Sequence, residues 1–64
     1  MTQKVIEVIG ASPVSFAKAA ENAAAEAARS VQGVRWARIT EFDMALNGAQ
    51  VLEYRVTARV FFDA

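Results

Sequence analysis

The spacing of apolar residues along the chain changes twice and predicts a strand, a helix and two further strands. Lys4 to Ile9 is rich in Val and Ile and stops at Gly10, which predicts a short first strand. Apolar residues then recur at helical spacing, with charged residues on the opposite side. The apolar positions of this helix are Phe16, Ala20, Ala23, Ala27 and Val31. From Val34 to Phe62 the period becomes two, as expected for strands.

Both ends of the predicted helix are marked by residues that favour helix termini. Ser12 is a good N-cap, and Pro13 suits the first helical position because its missing N–H is not needed there. Gly33 closes the helix in the usual C-terminal place. Eight alanines lie between Pro13 and Ser30. Because alanine is small, this helix allows another backbone to approach closely, which suits packing against a curled sheet.

The dipeptide Asn47-Gly48 predicts a hairpin with a type I′ turn between the second and third strands. If these two residues form the loop, Leu46 faces Ala49 and Trp36 faces Arg59. Strand alternation then separates two faces. The face predicted to cover the helix holds Ala37, Ile39, Leu52, Tyr54, Val56, Ala58, Val60 and Phe62. The opposite, outer face holds Trp36, Arg38, Thr40, Phe42, Met44, Arg55, Thr57, Arg59 and Phe61.

The order of the strands in the sheet follows from their connections. A right-handed crossover makes the first two strands parallel, so the most economical sheet places the third between them, antiparallel to both. We therefore predict an α+β fold of the β-α-β-β type, in which a three-stranded antiparallel sheet of order 1-3-2 wraps around one helix. No linker, repeat or low-complexity tract interrupts the chain, so residues 1–64 are predicted to form one domain.

The size of the chain predicts that it works as an oligomer. A domain of 64 residues has little core, and with no cysteine it has no disulfide to compensate. One helix covers only one side of the sheet, which leaves Trp36 among arginines on the outer face. An apolar patch rimmed by charge is typical of an interaction surface. We therefore expect the protomer of a closed oligomer, with other copies of the chain as its partners.

The charge and residue types exclude several classes of function. Seven Lys and Arg balance seven Asp and Glu, so nothing attracts the chain generally to nucleic acid or to an anionic membrane. Because there is no long apolar run, we expect a soluble cytoplasmic protein. The sequence has no histidine or cysteine and no glycine-rich phosphate loop, so we predict that it is not an enzyme. A less favoured alternative is an enzyme subunit whose catalytic residues form no recognisable pattern.

Four segments, taken in order, resemble the dodecin family of small flavin-binding proteins over nearly the whole chain. Residues 5–12 resemble its first strand and Gly-x-Ser helix start. Phe16 and the alanines resemble its helix, and Val34-Arg35-Trp36 resembles the segment with its flavin-stacking tryptophan. Residues 53–56 resemble the stretch in which many members have Tyr-Gln.

This resemblance implies a flavin storage protein that forms a hollow homododecamer. The flavin would be riboflavin or FMN, with FAD as a further option, stacked on Trp36 at subunit interfaces. The residues implied in binding are Trp36, Arg55, Val34, Arg35 and Thr40. In the alternative, purely structural interpretation, Trp36 is only a hydrophobic anchor in the subunit interface.

One departure from the family pattern and one second likeness support a different ligand. Arg55 stands where many members have a glutamine, and arginine donates hydrogen bonds but cannot accept them. Arg38, residues 43–45 and Tyr54-Arg55 resemble a branch that includes calcium-binding members. Glu41 and Asp43 project from one face of a strand and are the candidate calcium ligands. The alternative function is therefore a structural or calcium-binding shell without flavin.

The arginines on the last two strands have two interpretations. Arg35, Arg38, Arg55 and Arg59 could bind a phosphate, with Lys4 and Arg59 as the better candidates. Salt bridges between subunits, to Glu41, Asp43 and Glu53, are the favoured interpretation.

Overall fold

The computed structural model describes residues 2–63 as three strands and one helix. Strand β1 (Gln3–Ser12) leads into helix α1 (Phe16–Ser30), followed by strands β2 (Val34–Asn47) and β3 (Gln50–Asp63). The sheet order is β1-β3-β2, and β3 is antiparallel to both neighbours. The predicted β-α-β-β fold and its strand order are therefore confirmed.

The core lies between the alanine face of α1 and the middle of β3. Ala19, Ala23 and Ala27 are fully buried, as are Val56 and Val60. Gly10 makes this close packing possible, because a Cβ there would lie 2.1 Å from the carbonyl oxygen of Ala19. The spacing predicted the alanine face with a small error, since Ala19 rather than Ala20 is completely buried.

The helix begins three residues later than predicted. Ser15 is the N-cap, and its hydroxyl oxygen accepts a hydrogen bond from the backbone N–H of Lys18 at 3.0 Å. The prediction of Ser12 was wrong because Ser12 still belongs to β1, where it faces Tyr54 of β3. The Ser12 hydroxyl instead accepts from the N–H of Val14 at 3.0 Å, which shapes the turn into the helix.

The hairpin loop is Gly48-Ala49 rather than Asn47-Gly48. Asn47 faces Gln50, and Gly48 has a positive φ of 62°. A type I′ turn needs a positive φ at both central residues. Neither Asn47 nor Ala49 has a positive φ, so the predicted type I′ turn does not form. The predicted register was therefore wrong, and Trp36 faces Phe61 instead of Arg59.

A β-bulge at Thr40 reverses which side chains face the helix in the part of β2 that follows it. Ile39 faces Ala58 and Glu41 faces Thr57, which leaves Thr40 as the extra residue. Beyond it Phe42 lies on the helix side, where its ring meets Phe16 edge-on with centroids 5.3 Å apart. The predicted outer-face position of Phe42 was wrong, and so was that of Met44, which faces Tyr54 in the same layer.

The same bulge places two carboxylates on the outer face. Strict alternation from Ile39 would have put Glu41 and Asp43 on the helix side. They lie instead on the opposite side of β2 from Phe42, facing Thr57 and Arg55.

Among residues 2–63, no helix has the length and apolar character needed to cross a membrane.

Candidate ligand-binding site

Trp36 forms a parallel aromatic stack with Phe61 on the outer face. The two residues face each other across β2 and β3, with ring centroids 4.2 Å apart and planes 8° from parallel. Strand β2 is at the edge of the sheet, so the Phe61 side of the indole faces the middle of the sheet. The other side of the indole points off the β2 edge. Trp36 remains 45% exposed in the single chain, which leaves a large apolar surface open to solvent.

Arg38 lies beside this stack and not on top of it. Its guanidinium carbon is 5.3 Å from the Trp36 centroid and 5.7 Å from the Phe61 centroid. A guanidinium on the free face of the indole would be much farther from Phe61 than from Trp36. The nearly equal distances therefore place Arg38 along the edges of both rings, where it leaves the outward face of the indole open.

An open groove of about 450 Å³ crosses the outer face next to the aromatic stack. Its lining residues come from all three strands and are Val5, Ile6, Glu7, Thr40 and Arg59. Arg59 faces Glu7 on one side and Arg38 on the other. Facing arginines repel each other, so this arrangement costs stability unless an anion or an acceptor group lies between them. The groove is therefore lined by apolar residues together with the guanidinium of Arg59 and the carboxylate of Glu7.

The structure brings only some of the predicted flavin residues near Trp36. Val34 and Arg35 precede it directly on β2, and Arg35 reaches Asp63, with Nη1 and Oδ2 3.6 Å apart. Thr40 lines the groove, and its hydroxyl donates to the carbonyl oxygen of Thr57 at 3.3 Å. These three residues are therefore in the same half of the sheet as Trp36.

Arg55 lies far from Trp36 within one chain. It is six residues from Phe61 along β3, which corresponds to about 20 Å. Its guanidinium donates to Glu53, with Nε 3.1 Å and Nη2 2.5 Å from the same carboxylate oxygen. A ligand that contacts both Trp36 and Arg55 therefore needs these residues from two different protomers.

The candidate calcium residues supply an incomplete site within one protomer. Glu41 and Asp43 share the outer face, and Arg55 is the residue opposite Asp43. Residues 2–63 contain no group of three or more His, Cys, Asp or Glu side chains placed to hold a metal ion. Calcium usually takes six to eight oxygen ligands, so further oxygens would have to come from other copies or from water.

Phe61 is the site residue that the sequence did not single out. Alternation placed it correctly on the outer face with Trp36. The wrong hairpin loop, however, placed Arg59 opposite Trp36 and hid the aromatic pair. The correct loop, Gly48-Ala49, would have revealed it.

Comparison with known proteins gives consistent relatives. The model of the family described as Dodecin matches residues 2–64. Calcium dodecin of Mycobacterium tuberculosis (strain ATCC 25618 / H37Rv) is 44% identical over 59 residues, 92% of this chain and 83% of that protein. Its crystal structure, described as having a novel calcium-binding site, superposes with a TM-score of 0.85 at 41% identity, covering 100% of this chain and 91% of that chain.

A second solved relative is the dodecin from Streptomyces davaonensis. It has a TM-score of 0.90 at 28% identity, and the match covers 95% of this chain and 90% of that chain. Sequence and structure thus agree with the resemblance found in the residues, and the chain belongs to the dodecin family.

Proposed function

We propose that this protein binds a flavin, riboflavin or FMN, by stacking it on Trp36, and that it stores the flavin without transforming it. The observation that carries the proposal is an indole left 45% exposed on the outer face of the sheet. The isoalloxazine ring of a flavin is flat and electron-poor, and indole is the side chain with the largest electron-rich face. Close stacking also allows the indole to quench the excited flavin, which protects the cell from photochemistry.

The proposed binding unit is a homo-oligomer of twelve copies arranged as a hollow shell. Members of the dodecin family are oligomeric. Large apolar side chains that remain exposed in the single chain support an assembly, among them Ile9 at 62% and Phe42 at 61% exposed. In this assembly Arg55 of one protomer would reach the flavin on Trp36 of another, which the distance between them within one chain requires.

The remaining predicted residues have supporting roles in this proposal. Arg55 would donate to the flavin carbonyl oxygens, since it cannot supply the acceptor of a glutamine. Thr40 would form part of the groove wall beside the ligand. Val34 and Arg35 would hold the backbone of β2 in place next to Trp36. The net charge of zero argues against nucleic acid and membranes as partners, and we place the protein in the cytoplasm.

A fluorescence titration tests the flavin proposal. Riboflavin and FMN are titrated with purified oligomer while flavin emission is recorded. We expect strong quenching with the native chain and at least about a tenfold loss of affinity in Trp36→Ala, because the stacking surface is gone. Glu21→Ala is the control, since Glu21 is exposed on helix α1, on the other side of the sheet from Trp36. Unchanged flavin emission at saturating native protein would refute the proposal.

A second candidate function is calcium binding by the same assembly. It is favoured by the 44% identity to calcium dodecin and by the bulge that brings Glu41 and Asp43 to the outer face. In that case calcium raises the melting temperature of the native oligomer, because a ligand that binds only the folded state stabilises it. The increase disappears in Asp43→Asn and persists in Glu21→Gln, a carboxylate on the helix. An equal effect of magnesium would argue against a specific calcium site.

A further inference from the structure

Phe61 occupies one of the two faces of Trp36, and the two faces differ in what surrounds them. On the outward side, the described sheet has no further strand beyond β2. On the Phe61 side lie the exposed Val5, which faces Phe61 from β1, and then Arg59 and Glu7 in the groove. Within one protomer, the charged groups of the groove that could orient a polar aromatic ligand, Arg59 and Glu7, therefore lie on the side that Phe61 covers.

Arg38 adds a second, independent observation. Its guanidinium lies along the edge of the stack, about equally far from both rings. No carboxylate of residues 2–63 lies within ion-pair distance of Arg38, and the edge of a phenyl ring offers no acceptor to its five N–H groups. A flavin in the place of the Phe61 ring would present carbonyl oxygens at its edge. The polar groups around the stack thus fit a heteroaromatic ring better than they fit phenylalanine.

We propose that Phe61 is an internal competitor that occupies the ligand side of Trp36, so that a flavin binds only when the Phe61 ring swings away. This inference rests on the proposed flavin function. It specifies which face of Trp36 the flavin contacts and which polar groups lie at the edge of the flavin. It also identifies Phe61 as the residue that sets the affinity. Binding has to replace a parallel stack at 4.2 Å with a larger one. Affinity is therefore lowered by the strength of the Trp36–Phe61 contact, and release of the ligand is favoured by the return of Phe61.

Flavin titrations of three variants beside the native chain test the competition. Removing the ring in Phe61→Ala is expected to tighten riboflavin binding by at least about threefold and up to about tenfold, the strength of one aromatic pair. Phe61→Tyr keeps the ring and should bind like the native chain. The double variant Trp36→Ala with Phe61→Ala should not bind, which shows that the gained affinity uses the indole.

The results separate this inference from the proposed function. If the native chain binds riboflavin and Phe61→Ala binds equally well or more weakly, Phe61 is a support for Trp36 and the competition is refuted while the flavin function stands. If the native chain does not bind and Phe61→Ala does, the competition stands and flavin storage by the native chain is refuted. If neither binds, both proposals fail.

A measurement on the native oligomer decides the matter even if Phe61→Ala does not fold. The ring protons of Phe61, labelled selectively with carbon-13, are shielded by the indole 4.2 Å away. Saturation with riboflavin should move these resonances downfield toward the positions of an unstacked phenylalanine. Resonances that keep their shielding at saturation would show that the ligand uses the outward face, which overturns the proposal.

Discussion

Strand β1 and helix α1 approach each other closely at Gly10. A Cβ at this position would lie 2.1 Å from the carbonyl oxygen of Ala19 and 2.6 Å from the backbone nitrogen of Ala23. Both obstacles are helix backbone, so no side-chain rotation relieves the clash. We predict that Gly10→Ala destabilises the fold by about 3 kcal/mol, near the upper end for overpacking, as measured by urea unfolding at fixed protein concentration.

Gly48→Ala provides the matched control for this prediction. A Cβ at Gly48 would have no atom within 4 Å, and only the φ of 62° disfavours a side chain there. We expect a loss of about 1 kcal/mol, the usual cost of the left-handed conformation for a residue other than glycine. A loss at Gly10 no larger than that at Gly48 would contradict the overpacking, because Gly10 has no positive φ that would disfavour alanine.

Residue chemistry alone identified Trp36 but not its surroundings. An isolated tryptophan among arginines on a two-residue period is visible in the sequence, and its exposure agrees with that pattern. Its stacking on Phe61 depends on which residues of β3 face β2. That register depends on which residues form the loop and on the β-bulges between the loop and Trp36. A shift of the loop by one residue along the chain changes the residue that faces each position by two.

At the scale of the elements, the N-cap of α1 is the contact most open to direct measurement. The hydroxyl of Ser15 satisfies the N–H of Lys18, which has no partner within the helix. We predict that Ser15→Ala lowers the free energy of unfolding by about 1 kcal/mol. Ser30→Ala is the control, since the exposed Ser30 hydroxyl only donates to a carbonyl oxygen at the end of the same helix, that of Glu26. A control loss as large as that of Ser15→Ala would contradict the capping role.

Element types and order could be predicted from the sequence, and the irregular positions could not. Helical and two-residue periods are local properties, so they gave the four elements and, with the crossover rule, the sheet order. Ser12 was mistaken for the cap because its pairing with Tyr54 in the sheet is a long-range contact. The bulge at Thr40 likewise depends on pairing with β3, and no residue type in β2 predicts it.

For the whole molecule, the outer face and the long hairpin carry more apolar surface than one helix can cover. The chain extends over 48 × 18 × 14 Å, with its buried side chains concentrated where α1 lies on β3. The sequence predicted this shortage of core from length and from the lack of cysteine. It could not give the geometry of the assembly, since contacts between copies are not encoded in the spacing along one chain.

Ile9 is the best position for a substitution that tests the assembly. It lies on the outer face of β1, between the inward-facing Val8 and Gly10, and is 62% exposed. Lysine at this position leaves the core of the protomer untouched but places a charge where we expect another copy to pack. We predict that Ile9→Lys raises the concentration at which half of the chains are assembled by at least about tenfold, because burial of one isoleucine is lost.

Sedimentation velocity over a range of protein concentrations measures this change, and Gln32→Lys controls for the added charge. Gln32 is polar and exposed in the connection between α1 and β2, so lysine there removes no apolar contact. The native chain and Gln32→Lys should sediment as one large species under conditions in which Ile9→Lys dissociates. Because flavin binding by the proposed mechanism needs Trp36 and Arg55 from different protomers, dissociated Ile9→Lys should also lose flavin quenching. Assembly of Ile9→Lys at native concentrations would place the subunit interface on other surfaces than the outer face of β1.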